Sequence, residues 1–147
     1  MEFVRHRTFS FTQESTRYCN YSKDKFGNEI TCIKPLWSSL QEDNYKVNSI
    51  GQIDNIDTSY SRDNFILAHS LCTAENYYFN LLEAGWKPQQ ARAVLPNSLK
   101  TELIMTGFVS DWKHFFHLRT VSGAHPQAQE LAIPLMLEFN NLGYETK

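Results

Sequence analysis

Arginines, a histidine and hydroxyl side chains are concentrated near the start of this chain, in the segment RHRTFSFTQESTRY, residues 5 to 18 of 147. Arg5, Arg7 and Arg17 carry fixed positive charges, and His6 adds a titratable ring. A guanidinium group binds phosphate through paired, charge-assisted hydrogen bonds, and neighbouring hydroxyls supply further donors. The segment therefore predicts a phosphate site, with a solvated basic loop as the alternative.

Flat rings and irregular patterning characterise the same segment. Phe9, Phe11 and Tyr18 offer faces on which a ring system can stack. The residues follow neither helical nor strand periodicity, so we predict a binding loop. Because the formal net charge of the chain is −2, a surface built to neutralise a nucleic-acid backbone is not expected, and any anion site must be local.

Cysteine and histidine positions bear on metals and on the cellular compartment. The cysteines are odd in number, widely spaced and outside any Cys-x-x-Cys pair, which predicts neither a disulfide framework nor a zinc site: they are Cys19, Cys32 and Cys72. The histidines near the C-terminal end form no recognisable metal-binding set, so no metal is predicted. No apolar run has membrane-spanning length and no signal-peptide pattern is present, so we expect a cytoplasmic protein without a membrane partner.

Helices are predicted in the middle of the chain, where they would position this segment. Apolar residues recur at three-to-four spacing over 62–84, and Gly85 follows as the expected residue after a helix end. A second, short helix is predicted over 88–94, and Pro96 ends it because proline disfavours helical geometry in the residue before it. The polar region 20–58 predicts short strands and turns.

A strand and further helices are predicted in the last third of the chain. Side chains over 99–105 alternate as they do in a strand, and Gly107 ends it. Ser110 is the expected N-cap of an aromatic-rich helix. A last helix should run from Pro126 to near Gly143. Pro134 should kink that helix because proline removes a backbone donor and crowds the preceding turn.

The order of residues in RHRTFSFTQESTRY resembles the signature of the flavin-dependent thymidylate synthases. The signature reads Arg-His-Arg, two residues, Ser, one residue, Asn, two residues, Ser, one residue, Arg-Tyr. It is matched by Arg5, His6, Arg7, Ser10, Ser15, Arg17 and Tyr18, whereas Thr12 stands where the family usually has Asn. A second stretch, ARAVLPNSLKTELIMTGFVSDWKHFFHLR over 91–119, is similar to the family's Ala-Arg-x-x-Leu-Pro segment and the strand and helix that follow it.

This resemblance implies a fold, a reaction and an assembly. The fold would be α+β, with an antiparallel sheet flanked by helices, in a single domain over 1–147. The reaction would make dTMP from dUMP, with methylenetetrahydrofolate as one-carbon donor and NADPH-reduced FAD as hydride carrier. The assembly would be a homotetramer with sites at subunit interfaces. Family members carry a substantial N-terminal segment before Arg-His-Arg, and we expect this chain to lack it.

The resemblance also implies site residues. FAD would be held by Arg5, His6, Arg7, Gln13, His117, Leu118 and Arg119. The substrate dUMP would be held by Glu2, Arg5, Gln13, Glu14, Ser15, Thr16, Arg17 and Gln129. For Leu118, core packing is the alternative to a flavin contact.

Departures from the family pattern leave other functions open. Glu102 falls where several members carry a dUMP-binding arginine, and its carboxylate would repel phosphate. Gln129 falls at the position of the arginine that activates the uracil ring, and an amide supplies no charge there. A noncatalytic flavin- or nucleotide-binding relative, or a fragment that needs a partner chain, is therefore the alternative. An RNA- or single-stranded-DNA-binding module, with Phe9, Phe11, Tyr18, Trp112 and Phe116 stacking on bases, is a less favoured third hypothesis.

Overall fold

The computed structural model describes residues 3–23 and 26–146, so Glu2 lies outside the described residues. The chain divides into two compact units. The first, here called the terminal unit, comprises Met1–Gln13 and Glu102–Lys147, and the second, the central unit, comprises Glu14–Thr101. The prediction of a single domain over 1–147 stays a prediction.

Helices and short antiparallel strands together make an α+β protein, as the sequence predicted. In chain order the elements are a 3₁₀ turn Phe3–Arg5, β1 Ser10–Gln13, β2 Lys46–Val47, β3 Ile53–Asp54, α1 Arg62–Glu83, α2 Pro88–Ala91, a 3₁₀ turn Arg92–Val94, β4 Leu103–Thr106, α3 Val109–Arg119 and α4 Pro126–Asn141. β1 pairs with β4 in the terminal unit, and β2 pairs with β3 in the central unit.

Strand β1 corrects the prediction of an irregular loop over residues 5–18. Its antiparallel register with β4 sets Ser10 opposite Thr106 and Gln13 opposite Leu103. Of its four residues only Phe11 is partly buried, so the strand has almost no apolar and polar alternation. Pairing with a distant strand, which the local sequence does not reveal, creates the element.

The predicted strand over 99–105 is shorter and is divided between two pairings. β4 begins only at Leu103. Leu99 instead forms an isolated antiparallel bridge with Cys32 in the central unit. The sequence alternates without interruption from the bridge at Leu99 into β4, so periodicity alone could not show that these residues pair with two different segments.

An aromatic cluster forms the core of the terminal unit. Phe9, Phe115, Phe116 and Ala132 are buried at its centre. α3 begins at Val109, not after Ser110, because the Asp111 carboxylate accepts the backbone N–H of Phe108 at 2.9 Å and caps the helix two residues earlier. α4 begins at Pro126, as predicted, and contains Pro134.

A second cluster, around Tyr21, Tyr78 and Ala91, forms the core of the central unit. α1 ends at Glu83 and Gly85 follows with φ of 92°, a left-handed conformation that glycine adopts without steric cost. Leu95 is extended before Pro96, with φ −73° and ψ 139°, which ends the short 3₁₀ turn as predicted.

No helix in the described part of the chain is long and apolar enough to cross a membrane.

Candidate phosphate and flavin sites

His6 is buried in the aromatic core of the terminal unit, although the sequence placed it at an anion site. Its side chain is only 6% exposed. The centroid of the His6 ring lies 4.9 Å from that of Phe115. The backbone N–H of His6 donates to the Phe3 carbonyl at 3.0 Å. The middle residue of Arg-His-Arg therefore anchors the segment in the core.

The buried His6 ring binds the last residue of α3. Arg119 Nε donates a 2.9 Å hydrogen bond to His6 Nε2. Because Nε2 is the acceptor, the neutral ring carries its proton on Nδ1. The bond fixes the turn that bears Arg5 and Arg7 to the C-terminal end of α3, where cations also complement the helix dipole.

Other proposed flavin-contacting residues of the terminal unit are exposed. Arg5 and Arg7 flank the buried His6 and both reach solvent, as does His117 on α3. Leu118 is 41% exposed, so it is not a core residue. Gln13 is exposed at the end of β1. The Arg-His-Arg turn thus combines a buried anchor with two exposed guanidinium groups.

Gln129 uses both amide N–H groups within the terminal unit. Its Nε2 donates to the Val121 carbonyl at 2.7 Å and to the Ala124 carbonyl at 3.0 Å. An amide nitrogen has two N–H donors, so both are committed to the loop before α4. The structure therefore gives Gln129 a role in holding that loop. Glu102, at the other position that departs from the family pattern, is exposed.

Ser15 organises the loop that begins the central unit. Its carbonyl accepts the N–H groups of Tyr18 and Cys19 at 3.0 and 3.1 Å. Its hydroxyl accepts the Arg17 N–H at 3.3 Å. Arg17 and Tyr18 are exposed, with the guanidinium carbon 5.3 Å from the ring centroid, a distance at which a cation and an aromatic face attract.

Two hydrogen bonds tie this loop to the α2 region of the same unit. Arg17 Nε donates to Gln89 Oε1 at 3.2 Å. Arg92 Nη1 donates to Thr16 Oγ1 at 3.1 Å. Sequence patterns assigned no function to Gln89 or Arg92, although Arg92 belongs to the Ala-Arg-x-x-Leu-Pro stretch. Both contacts span more than seventy positions of the chain, so only the fold reveals them.

A cleft of about 800 Å³ opens beside this loop. Its described lining includes three cationic side chains, those of Arg17, Lys23 and Lys87. The aromatic rings of Tyr18 and Phe26 also line it. Positive charge beside ring faces suits a nucleotide, which presents both a phosphate and a flat base.

The three cysteines lie in the central unit. Cys19, Cys32 and Cys72 form no disulfide bonds. Burial raises the pKa of the Cys72 thiol to about 11 and also raises the pKa of Cys32. Because the thiolate is the nucleophilic form, both groups are poorly suited to nucleophilic attack at neutral pH. Among the described residues, no group of three or more His, Cys, Asp or Glu could hold a metal ion.

Two of the five rings required by the nucleic-acid hypothesis are buried, and of the other three only Tyr18 is exposed. Phe9 and Phe116 are 6% and 1% exposed, respectively. Trp112 packs against both, with ring centroids 4.8 Å from Phe9 and 5.8 Å from Phe116. Phe9 and Phe116 therefore belong to the core of the terminal unit and are not available to stack on an RNA or DNA base.

The protein is α+β, and each of its two units carries exposed arginines, a residue type that binds phosphate in proteins. A family model described as thymidylate synthase complementing protein matches residues 1–142. The chain belongs to this family.

Individual relatives agree with this assignment. The chain is 27% identical over 132 residues to the flavin-dependent thymidylate synthase of Corynebacterium diphtheriae, covering 90% of this chain and 48% of the relative. It is 30% identical over 134 residues to the enzyme of that name from Mycobacterium avium, covering 90% and 49%. The chain thus spans about half the length of these curated relatives.

A solved structure shares the fold. It is thymidylate synthase X from Helicobacter pylori with FAD and dUMP, with a TM-score of 0.60 and 21% sequence identity. The similarity covers 98% of this chain and 64% of that chain.

Proposed function

We propose that the protein acts as a flavin-dependent thymidylate synthase, making dTMP from dUMP with methylenetetrahydrofolate as one-carbon donor and NADPH as reductant. The observation that carries this proposal is the family match over residues 1–142. Exposed guanidinium groups in each unit support it, because a dinucleotide pyrophosphate and a nucleotide monophosphate are two separate anions.

The Arg-His-Arg turn fits the phosphate groups of FAD. Arg5 and Arg7 reach solvent on either side of His6, and the bond between His6 and Arg119 fixes the turn that carries them. A fixed turn with two exposed guanidinium groups suits a pyrophosphate. We assign FAD binding to this turn with Gln13, His117 and Leu118, and we give His6 a positioning role through Arg119. FAD, when bound, supplies the hydride chemistry of the reaction.

The Glu14–Arg17 loop is our proposed dUMP site. Ser15 closes the turn, and its bond to the Arg17 N–H fixes the backbone from which the guanidinium extends. Gln89 accepts the Nε–H of that guanidinium. This bond does not use the two terminal amino groups, which remain donors for a ligand. We propose that these amino groups bind the 5′-phosphate.

The proposed assembly is a homotetramer with sites at subunit interfaces, by analogy with the family. The proposed location is the cytoplasm, because three cysteines outside any disulfide suit a reducing compartment. Size-exclusion chromatography with light scattering tests the assembly. A dimeric or monomeric mass in the presence of FAD and dUMP contradicts it.

A noncatalytic flavin- or nucleotide-binding relative is the second candidate function. The two hydrogen bonds from the Gln129 amide to backbone carbonyls favour this second candidate, because Gln129 stands where the family activates the uracil ring with an arginine. With both N–H groups bound to carbonyls, Gln129 offers neither a charge nor a donor to a substrate.

Flavin retention and product formation distinguish the two candidates. The purified chain is mixed with FAD and dUMP, its flavin absorbance is recorded after gel filtration, and dTMP formation is then measured with NADPH and methylenetetrahydrofolate. Arg7→Ala should lose flavin, whereas Arg62→Ala, an exposed arginine at the start of α1, should retain it. Flavin retention with turnover supports the synthase, flavin retention without turnover supports the noncatalytic relative, and no flavin retention contradicts the synthase and a flavin-binding relative alike.

A further inference from the structure

Arg92 has no assigned function, yet its side chain contacts the proposed dUMP loop directly. The guanidinium is exposed and donates to the Thr16 hydroxyl at 3.1 Å. Neither Arg92 nor Arg17 forms an ion pair with a carboxylate among the residues that the structure describes. The loop and the 3₁₀ turn Arg92–Val94 that contacts it therefore each carry a guanidinium group without an ion-paired carboxylate among the described residues.

The backbone beside Arg92 is firmly held. Ala91 is 0% exposed and packs with Tyr21 and Tyr78 in the core of the central unit. Tyr21 follows the loop closely in sequence, so the loop and the Arg92 backbone are anchored in the same core cluster. A rigid backbone lowers the entropy lost when a long side chain binds a ligand.

The two loop contacts are reciprocal. Arg17 extends from the loop to Gln89, and Arg92 extends back to Thr16 on the loop. Each of these bonds uses a single nitrogen of a guanidinium that carries five N–H donors. Both groups therefore keep donors for an anion while their orientation is fixed.

We propose that Arg92, on the turn that contacts this loop, is a second phosphate-binding arginine, contacting the 5′-phosphate of dUMP together with Arg17. Thr16 is a positioning residue that orients Arg92. This inference rests on the proposed function, because dUMP is the ligand. Arg92 would also supply a positive charge for the phosphate in a chain that has Glu102 where several family members carry a dUMP-binding arginine.

The test compares ligands that differ only in the phosphate. Affinities of the full chain for dUMP and for deoxyuridine are measured by NMR titration. Arg92→Ala should weaken dUMP binding by about 10- to 100-fold, as expected for one charge-assisted contact. Deoxyuridine affinity should not change. Arg92→Lys keeps the charge but loses the planar guanidinium, so its dUMP affinity should lie between those of the wild type and Arg92→Ala. Arg62→Ala is the matched control.

Each outcome has a distinct meaning. If Arg92→Ala binds dUMP as the wild type does, or loses dUMP and deoxyuridine affinity equally, Arg92 is only a structural tie and the inference is overturned while the proposed function stands. If the wild-type chain binds FAD but not dUMP, the proposed dUMP site and this inference fail together.

Discussion

The two basic regions of this protein use arginine in opposite ways. In the terminal unit, Arg119 donates to the buried ring of His6, and the exposed Arg5 and Arg7 extend from that anchor. In the central unit, Arg17 and Arg92 are exposed and are held by the neutral side chains of Gln89 and Thr16. Core packing thus orients the first group, whereas surface hydrogen bonds orient the second. Substituting the residue that orients the arginines should therefore reduce stability in the terminal unit, where that residue is His6, and ligand affinity in the central unit, where it is Gln89 or Thr16.

His6→Ala should give the largest loss of stability. The substitution removes a ring packed against Phe115 and leaves Arg119 without its acceptor, so we expect the free energy of unfolding to fall by about 2–4 kcal/mol. Urea denaturation measures the change. Arg7→Ala, an exposed neighbour, should change stability by no more than about 0.5 kcal/mol. Equal effects of the two variants contradict the role of His6 as the buried anchor of this turn.

Gly107→Ala should be the next most severe change, because it acts on the same aromatic core. A Cβ at this position would lie 2.7 Å from Cδ1 of the buried Phe9 ring. The ring is packed against Trp112 and cannot move without loss of contacts, so we expect a cost of about 1–3 kcal/mol in thermal or chemical unfolding. Gly123→Ala is the control, since nothing lies within 4 Å of its Cβ position.

Gln129→Glu should destabilise the loop before α4 by about 1 kcal/mol. A carboxylate cannot donate to the carbonyls of Val121 and Ala124, and it would repel both. The melting temperature should therefore fall, whereas Gln127→Glu, the same chemical change two positions away, should have little effect. Equal melting temperatures for the two variants argue against the structural role of Gln129.

Gln89→Leu should give the smallest effect, and on affinity alone. Loss of one exposed, neutral acceptor for Arg17 should raise the dissociation constant for dUMP about threefold, without a change in unfolding. Isothermal titration calorimetry measures it, with Gln52→Leu in the turn between β2 and β3 as control. A measurable loss of stability with unchanged dUMP affinity would contradict the claim that Gln89 orients Arg17 for binding dUMP.

Local signals were sufficient for the long helices of this fold. α1 was predicted within one residue because apolar spacing and Gly85 both lie in its own sequence. β1 was missed, because only Phe11 of its residues is partly buried and its partner strand lies far along the chain. A strand defined by its partner leaves no local periodicity.

The site was predictable in its residue types and not in its contacts. The arginines of residues 5–17 are exposed, as a phosphate site requires. The burial of His6 was not foreseen, because residue type alone cannot separate a ligand-facing histidine from an anchored one. The bond between Arg92 and Thr16 and the two bonds of Gln129 depend on tertiary neighbours, which the sequence does not display.

The pairing of Gln13 with Leu103 has a consequence for the order of folding. Gln13 directly precedes the central unit, which begins at Glu14, and Leu103 follows soon after its end at Thr101. If the central unit were unfolded, joining β1 to β4 would close a long loop at an entropic cost of about 4 kcal/mol. The core around Tyr21, Tyr78 and Ala91 lies wholly within the central unit. We therefore expect this core to form first during folding, with the β1 and β4 hydrogen bonds acquiring protection from exchange later.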